Sequence, residues 1–305
     1  MGPAWYQREI EIPAAWKGKR IFLYFERTHW LSSVYVGKEE VSKIDYISIP
    51  HNHELTQWLH PGKKELITFC IDNRYQYDTH KWDHAHSEFT QINWNGVLGE
   101  IKLVAVDPVY VDDMQVYPDI KNKSIKVKMT VRNCTEHTAS GKISFHVTGK
   151  DYRLQKEVPV TVTDSITYIE EEMFLGKDIH LWNEFHPNLY TLDCKLTSSV
   201  DGQSYAHEKS TTFGMREVEA GEDHIILNGE PIHLRGTVEN AVFPKTGYAP
   251  VDDASWERVL RILKEYGMNH MRFHSWCPPA AAFRMADKLG VYLEAVSYTH
   301  LTLPT

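Results

Sequence analysis

The chain has 305 residues, of which 42% are hydrophobic and 24% charged, and its formal net charge is −8. At about 100–200 residues per domain this length holds two or three domains. The acidic balance argues against a nucleic-acid partner, whose phosphates would repel it, and no apolar run approaches the roughly 18–20 residues that a membrane-spanning helix needs.

The first residues, "MGPAWYQREIEIP", lack the apolar centre of a secretory signal, so the sequence assigns no compartment and leaves periplasm and extracellular space open. From there to about residue 107 the chain reads as short strands. Ile10 and Ile12 alternate with charges, as do Ile21, Leu23 and Phe25, and "SSVYVGKEEV" and "ELITFCIDN" follow the same rule. Gly18, Gly37, Pro61-Gly62 and Asn95-Gly96 mark turns between them. This spacing predicts a β-sandwich or jelly roll. Within it, "DTHKWDHAHSE" carries His80, Asp83, His84 and His86. Imidazole and carboxylate suit zinc or nickel, but the spacing is irregular, and a polar loop is preferred. No metal site is assigned.

Residues 108–214 give a second β unit, with "SIKVKMTVRN", "GKISFHVTG", "KEVPVTVTD", "SITYIEEEMFL" and "LYTLDCKLTS" all alternating. About 100 residues with roughly seven strands match an immunoglobulin-like sandwich. The four cysteines, Cys70, Cys134, Cys194 and Cys277, contain no C-x-x-C pair, so neither a zinc nor a redox motif is expected and no cofactor is assigned. Cys194 shares parity with the inward Tyr190, Leu192 and Leu196, whereas Cys134 falls in a turn, so the two are not read as a disulfide.

The pattern changes after Gly214. "DHIILNGEPIHLRG" is a hairpin with Asn228-Gly229 at its turn. Trp256, Val259, Leu260 and Leu263 then fall on one helix face, with Asp252, Asp253 or Ser255 able to cap its start and Gly267 able to end it. "MNHMRF" is a strand, "PPAAAFRMADKLG" a second helix with proline in its first turn, and "VYLEA" a third strand. Strands alternating with helices at this spacing imply a parallel sheet, closed as a barrel or doubly wound. Ligands of either architecture sit at the carboxyl ends of the strands. Glu239 and Asn240, then Arg272, His274, Ser275 and Trp276, then Glu294 follow three successive strands, which is a site-building pattern.

These stretches resemble family 2 glycoside hydrolases, the family of β-galactosidases and β-glucuronidases. The resemblance rests on "GKRIFLYFERTHWLSSVYVGKEEV", "TQWLHPGKKELITFCIDNR", "INWNGVLGEIKL", "WNEFHPNLYTLDCKL", "TTFGMREV" and "IILNGEPIHLRGT". The family pattern N-x-x-R-x-S/H-H-Y-P is echoed by Asn269, Arg272, His274, Ser275 and Trp276, with Ser and Trp where many members carry His and Tyr. The resemblance implies a multidomain β plus α/β chain. Residues 1–107 are a jelly-roll β-sandwich lacking its first strands, and 108–214 an immunoglobulin-like β-sandwich. Residues 215–295 begin a (β/α)8 TIM barrel, and 296–305 form a tail foreign to the family.

It also implies a retaining enzyme acting on β-linked galactose or glucuronic acid, with a carbohydrate as partner and a homo-oligomer as the whole enzyme's assembly. Such enzymes need two carboxyl groups roughly 5–5.5 Å apart. The family places them on the fourth and seventh barrel strands, beyond this chain, so no catalytic residue is assigned and the chain is expected to be inactive. Asn183-Glu184 lies in the sandwich, and Glu239-Asn240 has the reverse order. Arg272, His274, Trp276, Glu239 and Asn240 are the candidate substrate-binding residues. The plainer readings are a rim salt bridge for Arg272, a structural histidine for His274 and a packed core ring for Trp276. A rival function is a non-catalytic carbohydrate-binding sandwich using Trp30, Trp82 and Trp94 as stacking platforms.

Overall fold

Period-two alternation of apolar and polar residues builds most of the chain into strands, because successive side chains of a strand point to opposite faces. The computed structural model describes residues 2–46, 49–74, 94–274 and 276–296. The chain divides into two compact units, Met1–Ala105 with Leu234–Thr305, and Val106–His233. The His80, Asp83, His84 and His86 cluster, Trp82, Ser275 and residues 297–305 lie outside the described residues.

The β part of the first unit contains β1 (Pro3–Glu11), β2 (Arg20–His29), β3 (Leu31–Val36), β4 (Glu39–Ile44), β5 (His51–Glu54), β6 (Lys64–Asp72) and β7 (Gly96–Val106). They form two sheets, ordered β1-β6-β3-β4 and β5-β2-β7. Ile21, Leu23 and Phe25 of β2 meet Val34 of β3 and Ile67 and Ile71 of β6 in one apolar cluster, as the alternation requires. A polar seam runs beside it. His51 and His53 are fully buried, and the Ser32 hydroxyl lies 2.7 Å from His51 Nδ1 and 2.8 Å from His53 Nε2. Trp30 is not a stacking platform. Its ring is 2% exposed and its indole N–H donates to the Arg74 carbonyl at 2.9 Å. Trp94 is partly buried against an apolar cluster of the same unit.

The second unit contains β8 (Val109–Asp119), β9 (Ser124–Asn133), β10 (Ala139–Gly149), β11 (Tyr152–Val162), β12 (Ile166–Phe174), β13 (Tyr190–Val200) and β14 (Gln203–Phe213). Sheets ordered β11-β10-β13-β14 and β12-β9-β8 enclose one core. Ile125, Val127, Met129 and Val131 of β9 point inward while Lys126 and Lys128 face water. The core also takes Ile143, Phe145 and Val147 of β10 with Leu192, Cys194 and Leu196 of β13. Fully burying such a side chain contributes roughly 1.5–3 kcal/mol. Cys194 is buried and Cys134 exposed, and the two do not form a disulfide.

A small sheet closes this unit, with β15 (Val218–Ala220), β16 (Ile225–Leu227) and β17 (Glu230–Ile232) in antiparallel order. Asn228 and Gly229 turn the hairpin with φ of 54° and 84°, the left-handed pair that a two-residue turn demands. The Asn228 side chain accepts from Glu217 N and donates to the Trp182 carbonyl, which ties the hairpin into the second unit.

The rest of the first unit alternates strand and helix: β18 (Gly236–Glu239), α1 (Asp253–Glu265), β19 (His270–His274), α2 (Ala280–Leu289) and β20 (Tyr292–Val296). The strands are parallel in the order β18-β19-β20. Asp252 caps α1 by accepting from Ser255 N at 2.8 Å, the expected device. Pro279 precedes α2, and Gly290 ends it in the left-handed conformation. Among the described residues no helix is long and apolar enough to cross a membrane.

Candidate functional site

The site is built on the alternation of three parallel strands. Register pairs Val238 with Arg272 and Arg272 with Glu294, so these three side chains stand side by side on one face of the sheet. His270 and His274, two residues either way along β19, share that face. The other face carries Met271 and Phe273, which are buried with Trp256, Leu260 and Met285 in the apolar cluster beneath the helices. Helices cover one side of the sheet, therefore, and the polar side remains available.

On that polar side Arg272 Nε lies 3.5 Å from Glu294 Oε1, and His270 Nε2 lies 3.6 Å from Glu294 Oε2. Burial pushes the His270 imidazole below its ordinary range; Glu294 pulls it back and Arg272 adds to the depression. The Arg272 side chain is 30% exposed and that of Glu294 52%. A guanidinium held this way is a rigid fork of donors facing water, suited to a carboxylate or to paired hydroxyls. His274 ends β19, partly buried, at the carboxyl edge of the sheet.

The five candidates do not come together as one set. Glu239 pairs in register with Phe273, so it belongs to the helix-covered face, opposite Arg272 and His274. Its carboxylate serves its own loop, accepting from Ala241 N at 2.9 Å and Val242 N at 3.3 Å. Burial raises its carboxyl above the usual range, and the backbone donors of Ala241 and Val242 and the Trp276 indole partly counter that rise. Ala241 holds φ at 57°, a left-handed conformation that the Glu239 hydrogen bonds brace. Trp276 is 2% exposed, edge-on to Phe273 at 5.2 Å, and its indole N–H donates to the Glu239 carbonyl at 3.3 Å. In this structure it is a packed ring that anchors the start of the stretch leading into α2. Asn240 follows Glu239, partly buried, at the end of β18. Arg272 and His274 remain as the pair sharing an accessible polar face, with Glu294 as partner of the arginine.

Sequence reasoning missed two contributors. Leu98 of β7 inserts into the apolar cluster beneath the helices, and Glu26 of β2 accepts from Ala280 N at the start of α2, at 2.7 Å. Neither is signalled by local pattern, since each contact joins stretches of chain far apart in sequence. Among the described residues no cluster of His, Cys, Asp and Glu is arranged to hold a metal.

The chain is β-rich, with a guanidinium and an imidazole on one face of a short parallel sheet that follows the sandwich strands in sequence. Residues 109–216 match the family model described as glycosyl hydrolases family 2. A β-galactosidase of Thermoanaerobacter pseudethanolicus is 22% identical over 98% of this chain and 40% of its own length. By fold, a glycosyl hydrolase family 2 member from Bacteroides cellulosilyticus matches 96% of this chain and 37% of its own, at a TM-score of 0.81 and 21% identity. A Bacteroides uniformis β-glucuronidase, solved covalently bound to cyclophellitol-6-carboxylate aziridine, matches at a TM-score of 0.79 and 19% identity, over 96% and 36%. The chain is thus similar in its middle third to the family 2 glycosyl hydrolase model and in fold to members of that family, and it spans about two fifths or less of the length of these proteins.

Proposed function

We propose that this chain is part of a retaining β-glycosidase for a terminal galactose-type or glucuronic-acid-type sugar. The first sandwich is then its jelly-roll domain, residues 108–214 its immunoglobulin-like domain, and 215–295 the opening strands of a (β/α)8 barrel. Arg272 and His274 line the sugar-binding side. Their shared, helix-free face at the ends of parallel strands carries this reading, and the glycosidase names borne by relatives along the whole chain support it. A planar guanidinium can hold a carboxylate ionised through paired hydrogen bonds. Either a catalytic carboxylate or the carboxylate of a uronic acid fits such a donor, and Arg272 is assigned that task. The His274 ring supplies a hydrogen bond to a sugar hydroxyl. Asn240, just after β18, is assigned as a further polar contact, while Glu239 and Trp276 support the loop that carries it.

The two carboxyl groups of the reaction belong, in this proposal, to later strands of a longer protein. The chain by itself is then expected to bind a monosaccharide weakly and to turn over no glycoside. Calorimetric titration with methyl β-D-galactoside and methyl β-D-glucuronide tests this. Saturable millimolar binding of either, weakened at least tenfold by Arg272→Ala, supports the proposal. Absence of binding to both at high concentration, or hydrolysis of a p-nitrophenyl β-glycoside by the purified chain, overturns it.

A further inference from the structure

The outward face of β2 holds a buried carboxylate that serves a distant helix. Ile21, Leu23 and Phe25 turn into the first sandwich, so Glu26 turns away from it, yet it is only 5% exposed. Its Oε1 accepts from Ala280 N at 2.7 Å across 254 residues of sequence, and its Oε2 accepts from Glu100 N at 2.9 Å. Ala280 is the first residue of α2, and the residue before it, Pro279, offers no side-chain cap. Ser, Thr, Asp or Asn would ordinarily stand there and satisfy an orphan amide. Here the acceptor comes from another part of the fold, and it carries a negative charge at the positive end of the helix dipole. Room for it is made by Gly99, whose φ is 93° and whose added Cβ would meet Glu26 Oε2 at 2.2 Å.

We infer that Glu26 is a positioning residue: it caps α2 from the sandwich and so fixes the stretch 276–279 that leads into α2 beside the candidate site. This deepens the proposed function and rests on it only for the meaning of the site; the cap itself is independent of any sugar. Pro278 and Pro279 have no amide donor, so Ala280 N is the first backbone donor after Cys277. Trp276 secures the upstream part through Phe273 and the Glu239 carbonyl. Glu26 secures the downstream part. Arg284 of α2 also feels the Glu26 charge and pairs with Asp253 of α1 at 2.6 Å, so the same carboxylate lies within the field that holds the two helices together.

The test is amide exchange and side-chain NMR on the whole chain. Glu26→Ala is expected to speed exchange at Ala280 by about tenfold to a hundredfold, the range for a lost charge-assisted hydrogen bond, and to shift the His274 and Trp276 ring signals. Pro279→Ser offers a side-chain acceptor to the second or third amide of α2 rather than to Ala280 N, so it is expected to steady the helix start and return those ring signals toward their original positions in the Glu26→Ala background, with Ala280 exchange left fast, while changing little alone. Should Glu26→Ala fail to fold, Glu26→Gln is read instead. It keeps one acceptor, so either Ala280 or Glu100 must exchange faster. Unchanged exchange at both amides in a folded variant, or ring signals that Pro279→Ser does not restore, overturns the inference. Sugar titration of the unmodified chain is scored separately, so a rim that binds no sugar leaves the cap standing and a failed cap leaves sugar binding standing.

Discussion

Acid should unfold the first unit before the second, because the first holds its buried histidines neutral. His29 is 1% exposed with Nδ1 2.6 Å from the Trp94 carbonyl, and burial lowers it from 6.5 to about 4. His53 is lowered to about 3 by burial and by His51 beside it, and His51 is itself lowered by burial, with Asp45 and the Tyr46 carbonyl opposing. All three imidazoles prefer the uncharged state when folded, so below 6.5 the unfolded chain binds more protons than the folded one. Their contribution is complete above that pH and disappears as pH falls through about 4 and about 3. At 1.36 kcal/mol per pH unit, His29 alone accounts for about 3 kcal/mol and His53 for about 5 kcal/mol. Even partial loss of that sum is comparable with the roughly 5–15 kcal/mol that holds a typical domain. NMR peak volumes for Phe25 and Ile71, compared with Phe145 and Leu192, would follow the two units through a titration from pH 7 to 4. The first pair should vanish at higher pH than the second, and His29→Gln, which keeps a donor for the Trp94 carbonyl, should move that midpoint down. A common midpoint for all four residues, or no change in His29→Gln, would refute the reasoning.

Trp276→Ala should cost about 3–5 kcal/mol, as truncation of a buried aromatic ring does, visible as a lower urea midpoint. An unchanged midpoint would mean that the ring is not packed. Glu239→Ala should cost about 1–3 kcal/mol by stranding the Ala241 and Val242 amides, whereas Glu239→Gln keeps one acceptor and should cost less. Because burial raises the Glu239 carboxyl, its ionisation opposes folding, so its share of stability is present below 4.5 and is lost as pH rises through the elevated value. Denaturation series of wild type and Glu239→Gln across that range would show wild type gain stability relative to the variant as pH falls. Phe145→Ala should cost about 3–5 kcal/mol and affect the second unit alone, since Phe145 is fully buried within that unit's core; exchange rates in β2 and β6 should stay put.

The elements most legible in the sequence were those where one face is buried and the other wet. Val127, Met129 and Val131 against Lys126 and Lys128 leave no other assignment, and Asn228-Gly229 and Asp252 mark their turn and cap by chemistry that few other residues can perform. The strand ends were harder. Glu239 and Arg272 both follow the rule that polar groups gather where parallel strands finish, yet one residue of register puts them on opposite faces. Only the pairing of Glu239 with Phe273, and of Val238 with Arg272, reveals it. Trp276 could have been a platform or a packed ring from sequence alone; its indole contact with the Glu239 carbonyl and its edge-on seat against Phe273 decide for packing. Glu26 was illegible because it sits in an ordinary alternating strand, and its partner stands in a helix that only the folded chain brings near.

The central claim is that Arg272 and His274 share the sugar-facing side of three parallel strands while Glu239 and Trp276 support them from elsewhere. Chemical-shift mapping of the labelled chain with methyl β-D-galactoside and methyl β-D-glucuronide tests it most directly. The account predicts saturable shifts at the Arg272 guanidinium and the His274 ring, with smaller ones at Glu294. Shifts that cluster on β1 to β7 or on the outer surfaces of α1 and α2, with Arg272 and His274 unmoved, would contradict it.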